Sequence, residues 1–402
     1  MGCVPPESAP ALIPRKPEPV PAEARNGMAV KREALQPDGV YRPRYRRTPA
    51  MRSPDYVQLS TAAAITLGLV PGKLHRCGCT RCLNLLLTYP EGCRANCAYC
   101  GLARHREAAT NYADRNFIRV DWPAAPLDEI IARVADAGAA TPFHRMCISM
   151  ITHPNSDADT VTVLERWMAR IPRAAVPVSI LSNPTTMGRA DVQALYDLGA
   201  DLFTVALDAC TPSLFERTRG KGVESPHSWR KYWSVFEEAR AIFGPGRIGM
   251  HLIVGLGESD RDVLEICRQL HALGGHSHLF CFFPERGSLM DHLPAPPRGR
   301  WRRLQLARYL IEYRDHPFAA LRFDAEGALV DFGMEEAALQ AVIATGVPFR
   351  TSGCPGKERE DVSACDRPYG DSPPSNIASY PFQPNGNDLR TIRSQIARGA
   401  AP

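Results

Sequence analysis

The sequence has no apolar run approaching the ~20 residues that a membrane-spanning helix needs; its longest weakly polar stretch, AAAITLGLV (62–70), falls well short. Its beginning, MGCVPPESAP, lacks a basic region followed by an apolar one, so no secretory signal is expected. Nor does it suit N-myristoylation, because Pro6 stands where Ser or Thr is required. The expected location is cytoplasmic. There, 13 cysteines are expected to serve as metal ligands, reactive thiols and small buried hydrophobes rather than as disulfides. Net charge is missing from most of the chain as well. Ten Lys/Arg and five acids fall in residues 1–54, which leaves 38 basic and 38 acidic residues in 55–402. That balance argues against a nucleic-acid partner. Residues 1–54 also hold 11 of the 36 prolines and no sustained apolar period, so they read as a mostly disordered, solvated arm.

What is present is the composition of a globular protein, 44% hydrophobic and 23% charged, in a 402-residue chain long enough for one large domain or two ordinary ones. From about residue 83, short apolar runs alternate with helical periods. LNLLLTY (83–89), RMCISM (145–150), VSILS (178–182), LFTVALD (202–208), IGMHLIVG (248–255) and HLFCFF (278–283) read as buried parallel strands. Between them, PLDEIIARVADAGAA places Leu127, Ile130, Ile131 and Val134 on one helix face. Ser225-Pro226 is read as opening another helix, and Ser259 as capping DRDVLEICRQL. Six strand–helix units predict an α/β fold with a parallel sheet, open or closed, whose chemistry sits at the C-terminal ends of the strands. The expected division is the arm (1–54), an N-terminal extension (55–82), the α/β barrel (83–325) and a C-terminal extension (326–402) in which the pattern is lost.

CRANCAYC (93–100) follows the first strand. Its cysteines, Cys93, Cys97 and Cys100, have C-x3-C-x2-C spacing, with Tyr99 directly before the last. A structural zinc site wants four ligands. Three thiolates instead supply three corners of a [4Fe–4S] cube and leave one iron open. The spacing, the aromatic and the position after a first strand resemble the radical S-adenosylmethionine (SAM) superfamily. The resemblance implies a partial or full β/α barrel and an open iron that binds SAM. It also implies reductive cleavage of SAM to a radical that abstracts hydrogen from an unactivated carbon.

Other segments extend the likeness. GMHLIVGLGES (249–259) resembles the fifth-strand glycine motif beside the adenine, which implies Val254, Gly255, Gly257 and Glu258 as cofactor contacts. ALDACTPSLFERTRGKG (206–222) resembles the fourth-strand segment of biotin and lipoyl synthases, which implies that Asp208 bonds the ribose; a helix N-cap acid is the alternative. ILSNPTT (180–186) ends strand three, where Ser182 or Asn183 is expected to face SAM. After strand two the usual Gly-Gly-Glu is replaced by SMITHPNSD (149–157), which leaves Ser149, Thr152 and Asn155 as candidates for the methionyl amine.

RCGCTRC brings Cys77, Cys79 and Cys82 before the first strand, and TSGCPGKEREDVSACDRPYGDSPP brings Cys354 and Cys365 from the tail. These five thiols are read as ligands of a second, auxiliary [4Fe–4S] cluster, with a zinc knuckle as the alternative. Cys3, Cys147, Cys210, Cys267 and Cys281 are taken as ordinary core or tail cysteines. The arrangement is similar to one subunit of the two-component lipoyl synthases, a likeness carried most by TSGCP…CDRPYGDSPP…YPF (351–382); Ser379-Tyr380 only echoes a serine ligand of the single-chain enzyme. That likeness implies sulfur insertion into a protein-bound octanoyl-lysine. The implied partners are an octanoylated lipoyl-domain carrier, a second radical SAM subunit and an electron donor such as ferredoxin or flavodoxin. Arg219 and Arg367 are candidate substrate contacts. Peptide thioether maturases, methylthiotransferases and a non-catalytic iron–sulfur scaffold remain as alternatives.

Overall fold

The computed structural model describes residues 51–77, 80–106, 119–357 and 359–398. Residues 1–50 of the expected arm and Cys79 lie outside the described residues, as does the side chain of Cys77. In chain order the elements begin β1 (Tyr56–Leu59), α1 (Thr61–Thr66), β2 (Cys82–Leu87), β3 (Ala124–Pro126), α2 (Leu127–Ala137), β4 (Arg145–Ser149), α3 (Ser156–Met168), β5 (Val178–Ser182), α4 (Arg189–Asp197) and β6 (Leu202–Asp208). They continue with α5 (Pro212–Thr218), α6 (Trp229–Phe243), β7 (Ile248–Val254), α7 (Asp260–Ala272), β8 (His276–Cys281), α8 (Arg298–Arg314), β9 (Arg322–Phe323), β10 (Leu329–Asp331), α9 (Glu336–Thr345) and α10 (Gly386–Arg398).

All six apolar runs form strands. They are β2, β4, β5, β6, β7 and β8, paired side by side and parallel throughout. The sheet has eight strands in the order β3-β1-β2-β4-β5-β6-β7-β8, with β1 and β3 antiparallel at one edge. Its two edge strands do not pair with each other among the described residues, so the architecture is a partial β/α barrel. The antiparallel edge went unread because four- and three-residue strands carry too little alternation to stand out.

Helices cover the outer face. On α2 the buried residues are the expected Leu127, Ile130, Ile131 and Val134. Ser259 caps α7, accepting from the Asp262 N–H while the Asp262 carboxylate accepts from the Ser259 N–H, which satisfies two donors that a helix start leaves open. The reading at Ser225-Pro226 is corrected: α6 starts four residues later under a Ser228 cap, and Ser225 Oγ instead accepts from the Asn96 N–H at 2.7 Å. The tail contains α9 and α10, and its Ser352 and Pro355 meet β8 and β4. Ser352 Oγ bonds both the N–H and the carbonyl of Leu279, and Arg145 Nε donates to the Pro355 carbonyl at 2.7 Å. Among the described residues no helix is long and apolar enough to cross a membrane.

Ile180 sits in the middle of the sheet on β5 and is fully buried beneath the helix layer. Ile180→Ala is expected to cost about 2–5 kcal/mol, the range for an emptied core site, and a lowered urea midpoint with an unchanged slope is the check.

Candidate functional site

The three-cysteine loop is pinned where the strands end. The Ala98 N–H donates to the Thr218 carbonyl at 2.7 Å, and Asn96 Nδ2 donates to the Val223 carbonyl at 3.1 Å, tying the loop to the end of α5. Cys97 is buried; Cys93 and Cys100 are half-buried. Burial pushes the Cys97 thiol up to about 11 and Cys100 further still, so loading a metal on these sulfurs must displace protons. Among the described residues no three His, Cys, Asp or Glu side chains converge for one metal ion. A cube that gives each thiolate its own iron does not ask for such convergence.

Beside Cys97 lies Arg219, expected from sequence as a candidate substrate contact. It is 4% exposed. Its Nη1 donates to Asp208 Oδ2 at 2.5 Å, to the Tyr99 hydroxyl at 2.8 Å and to Cys97 Sγ at 3.5 Å. Its Nη2 donates to Asn183 Oδ1 and, at 3.3 Å, to the Tyr232 hydroxyl. Burial opposes the charge, but Asp208, Tyr232 and Tyr99 hold its pKa well above the ordinary value. The cation is therefore permanent. Tyr99 OH also donates to Asp208 Oδ2 at 2.6 Å. Asp208 ends β6 at a register break with φ of +65°, a conformation that aspartate tolerates better than most residues, and Thr211 rather than Asp208 caps α5. Tyr99, Asn183 and Asp208 are thus brought together, around a residue that the sequence did not single out as their centre.

Two further side chains complete this network. His227 Nδ1 lies 2.8 Å from the Tyr232 hydroxyl and 2.7 Å from Thr185 Oγ1. Burial first, and then the Arg219 charge, depress the His227 pKa well below its usual range, so the ring is neutral. Thr152, one candidate for the methionyl amine, lies 3.5 Å from His227 Nε2. Asn155 begins α3 outside this group, and Ser149 faces inward further down the sheet.

In the turn after β7, Gly255 and Gly257 have φ of +114° and +120°. A Cβ on Gly255 would lie 2.5 Å from Pro296 Cγ, so only glycine fits there. Glu258 serves this turn internally: its oxygens accept from the Gly255 and Leu256 N–H groups at 2.7 and 2.9 Å and pair with Arg300 at 3.1 Å. Its carboxylate shapes the loop. Ser182 is likewise inside the sheet, donating to the Thr204 carbonyl at 2.9 Å, and Val254 is fully buried at the end of β7. The orphaned Arg219 Nε, buried with no hydrogen-bond partner among the described residues, and the enforced Gly255 turn both suit a polar cofactor at this end of the sheet.

A second set of thiols lies deeper. Cys82 opens β2, Cys147 is central on β4, and Cys354 and Cys365 come from the tail; all four are free and buried. Cys82, Cys147 and Cys365 pack together, Cys354 bears on the ionisation of Cys82 and Cys147, and Cys365 bears on that of Cys354. Asn84 Nδ2 donates at 3.4 Å to both Cys82 Sγ and Cys365 Sγ. The Cys365 pKa is lowered first by the hydrogen bond from Cys82 and further by Arg367, Asn84 and Arg145, while burial raises that of Cys82. Cys147, read from sequence as an ordinary core cysteine, is buried as expected and packs against Cys82 and Cys365. On β4, Met146 and Ile148 face the helices, so Arg145, Cys147 and Ser149 face inward. That alternation was the available signal. Ser379 does not join the thiols; its hydroxyl donates to Asp371 Oδ2 at 2.7 Å. Arg367 stacks on Phe280, 3.4 Å from its ring centroid, and lines a small cavity with Phe280, Thr351, Gly370 and Asp371.

Residues 87–270 match the sequence model of the radical SAM superfamily, while no curated protein matches the chain. Several solved structures are similar. Methylornithine synthase (PylB) shares 15% identity, with 57% of this chain and 60% of that one covered and a TM-score of 0.39. The [FeFe]-hydrogenase maturase HydG from Carboxydothermus hydrogenoformans shares 16%, with 58% and 51% covered and a TM-score of 0.42. For the radical S-adenosylmethionine methyltransferase TsrM from Kitasatospora setae the values are 15%, 52%, 38% and 0.35. The matched region thus spans 38–60% of those chains. With its cysteine loop after the first parallel strand and its glycine turn after the fifth, the stretch from 87 to 270 is a radical SAM superfamily domain.

Proposed function

We propose that the chain is a radical SAM enzyme that inserts sulfur at unactivated C–H bonds, acting on an octanoyl-lysine of a lipoyl-domain carrier as one component of a two-protein lipoyl synthase. The observation that carries the radical SAM part is the buried Arg219 cation touching Cys97 Sγ while paired with Asp208. The lipoyl part rests on the likeness of the 351–382 segment. Cys93, Cys97 and Cys100 would each ligate one iron of a [4Fe–4S] cluster. Together the cluster and SAM supply reductive C–S cleavage and a radical able to abstract hydrogen.

The protein's own groups do the positioning. Arg219 presents a fixed positive charge to the carboxylate of SAM, with Asp208 and Tyr99 locking its fork in place. Asn183 is held from the other side, its Nδ2 donating to the Met150 carbonyl at 2.8 Å, so its oxygen stays on Arg219. The Gly255–Gly257 turn brings bare backbone to the adenine end. An auxiliary cluster on the outer cysteines would be the sulfur source, and a ferredoxin or flavodoxin the electron donor.

Two outcomes are expected. Arg219→Met should weaken SAM binding to cluster-loaded protein by about ten- to a hundredfold, the worth of a charge-assisted hydrogen bond, with Arg219→Lys intermediate; equilibrium dialysis measures both. Anaerobic turnover with an octanoylated lipoyl-domain peptide should give 5′-deoxyadenosine and labelled sulfur in the peptide. Replacing Cys93, Cys97 and Cys100 by Ala should abolish both products. Replacing Cys354 or Cys365 should stop only the sulfur transfer. Deoxyadenosine formed without sulfur in any octanoylated peptide would favour another radical SAM reaction, such as thioether formation or methylthiolation.

A further inference from the structure

We infer that Cys82, Cys147, Cys354 and Cys365 form the complete ligand set of a second iron–sulfur cluster inside the barrel; its role as a sulfur source rests on the function proposed above, whereas the ligand set stands on geometry. Two ligands come from neighbouring parallel strands and two from the tail. Their surroundings are not those of cysteines filling an apolar core. The inner face near them carries Asn84, Arg145, Ser149 and Ser179, with Arg145 Nη1 donating to Ser179 Oγ at 3.0 Å. Arg367 faces the same group and makes no ion pair among the described residues, so metal-bound thiolates would supply its counter-charge. Asn84 already aims one amide nitrogen at two of the sulfurs, the kind of hydrogen bond that tunes a cluster's potential.

A single zinc ion, with four sulfurs each ~2.3 Å away, is the rival occupant, and metal analysis of the reconstituted chain separates the two.

The test uses the full chain carrying Cys93→Ala, Cys97→Ala and Cys100→Ala, reconstituted anaerobically with iron and sulfide. About four irons and four sulfides per chain are expected to remain. Adding Cys147→Ser should lower that iron or convert the EPR signal to that of an altered cluster, whereas Cys77→Ala with Cys79→Ala should leave iron and spectrum unchanged. Cys267→Ser, an equally buried thiol on the outer layer, is the control for folding. A second variant does not depend on cluster loss: Asn84→Leu removes both N–H···S hydrogen bonds and should move the reduction potential to more negative values. Iron and spectrum insensitive to Cys147, a potential insensitive to Asn84, or zinc in place of iron would each overturn the ligand set. Because the background cannot cleave SAM, none of these readouts depends on turnover. Failure of sulfur transfer in the unmodified protein would overturn the function and leave the ligand set intact.

Discussion

A parallel sheet flanked by helices is buried on both faces, and on this one the inner face is polar. The outer face follows the usual rule, with Met146, Ile148 and Ile180 packed under helices. The inner face carries Asn84, Arg145, Cys147, Thr204, Asp208, His251 and His278. Polar groups removed from water must find partners or be held for a ligand. The tail segment is the first answer. It supplies hydrogen bonds to strand edges, an arginine above Phe280 and two of four thiols. The pairing of Arg219 with Asp208 is the second, at the other end of the strands.

The same face explains why one element holds a charge and the next a thiol. On β6, Thr204 and Asp208 are inward, and Thr204 is followed by the register break that turns Asp208 toward Arg219. On β7 the inward Gly249 allows close approach of the flanking strands, since a Cβ there would lie 3.0 Å from the His276 carbonyl oxygen and 3.3 Å from Thr204 Cγ2. The His251 and His278 rings meet edge to face at 5.1 Å, and burial keeps both neutral. A neutral histidine lining midway, with arginines at either end, gives the interior a graded polarity.

Much of the fold was legible because buried parallel strands are continuous apolar runs, and all six runs became strands. The cysteine loop and glycine turn were legible because their spacing is local. What escaped depends on contacts between distant segments. Arg219 reads as a candidate substrate contact, and its place beside Asp208 is seen only once α5 is folded. Cys147 reads as a hydrophobe in RMCISM until the tail folds in against it. Glu258 and Ser182, expected as cofactor contacts, have their oxygens engaged by backbone donors in the turn and by the Thr204 carbonyl on the neighbouring strand.

The distribution of thiols along the chain has a consequence for biosynthesis. The loop of Cys93, Cys97 and Cys100 is complete early, and every strand it needs has been made by residue 281. The inner group is half built at Cys147 and waits for Cys354 and Cys365 in the last part of the chain. At a translation rate of about 5–20 residues per second, that delay is on the order of ten seconds or more. Cys82 and Cys147 spend it without the segment that covers them, exposed to oxidants and stray metals. Closure of the interior therefore waits for synthesis of Cys354 and Cys365, and a ribosome that stalls before residue 365 leaves Cys82 and Cys147 uncovered.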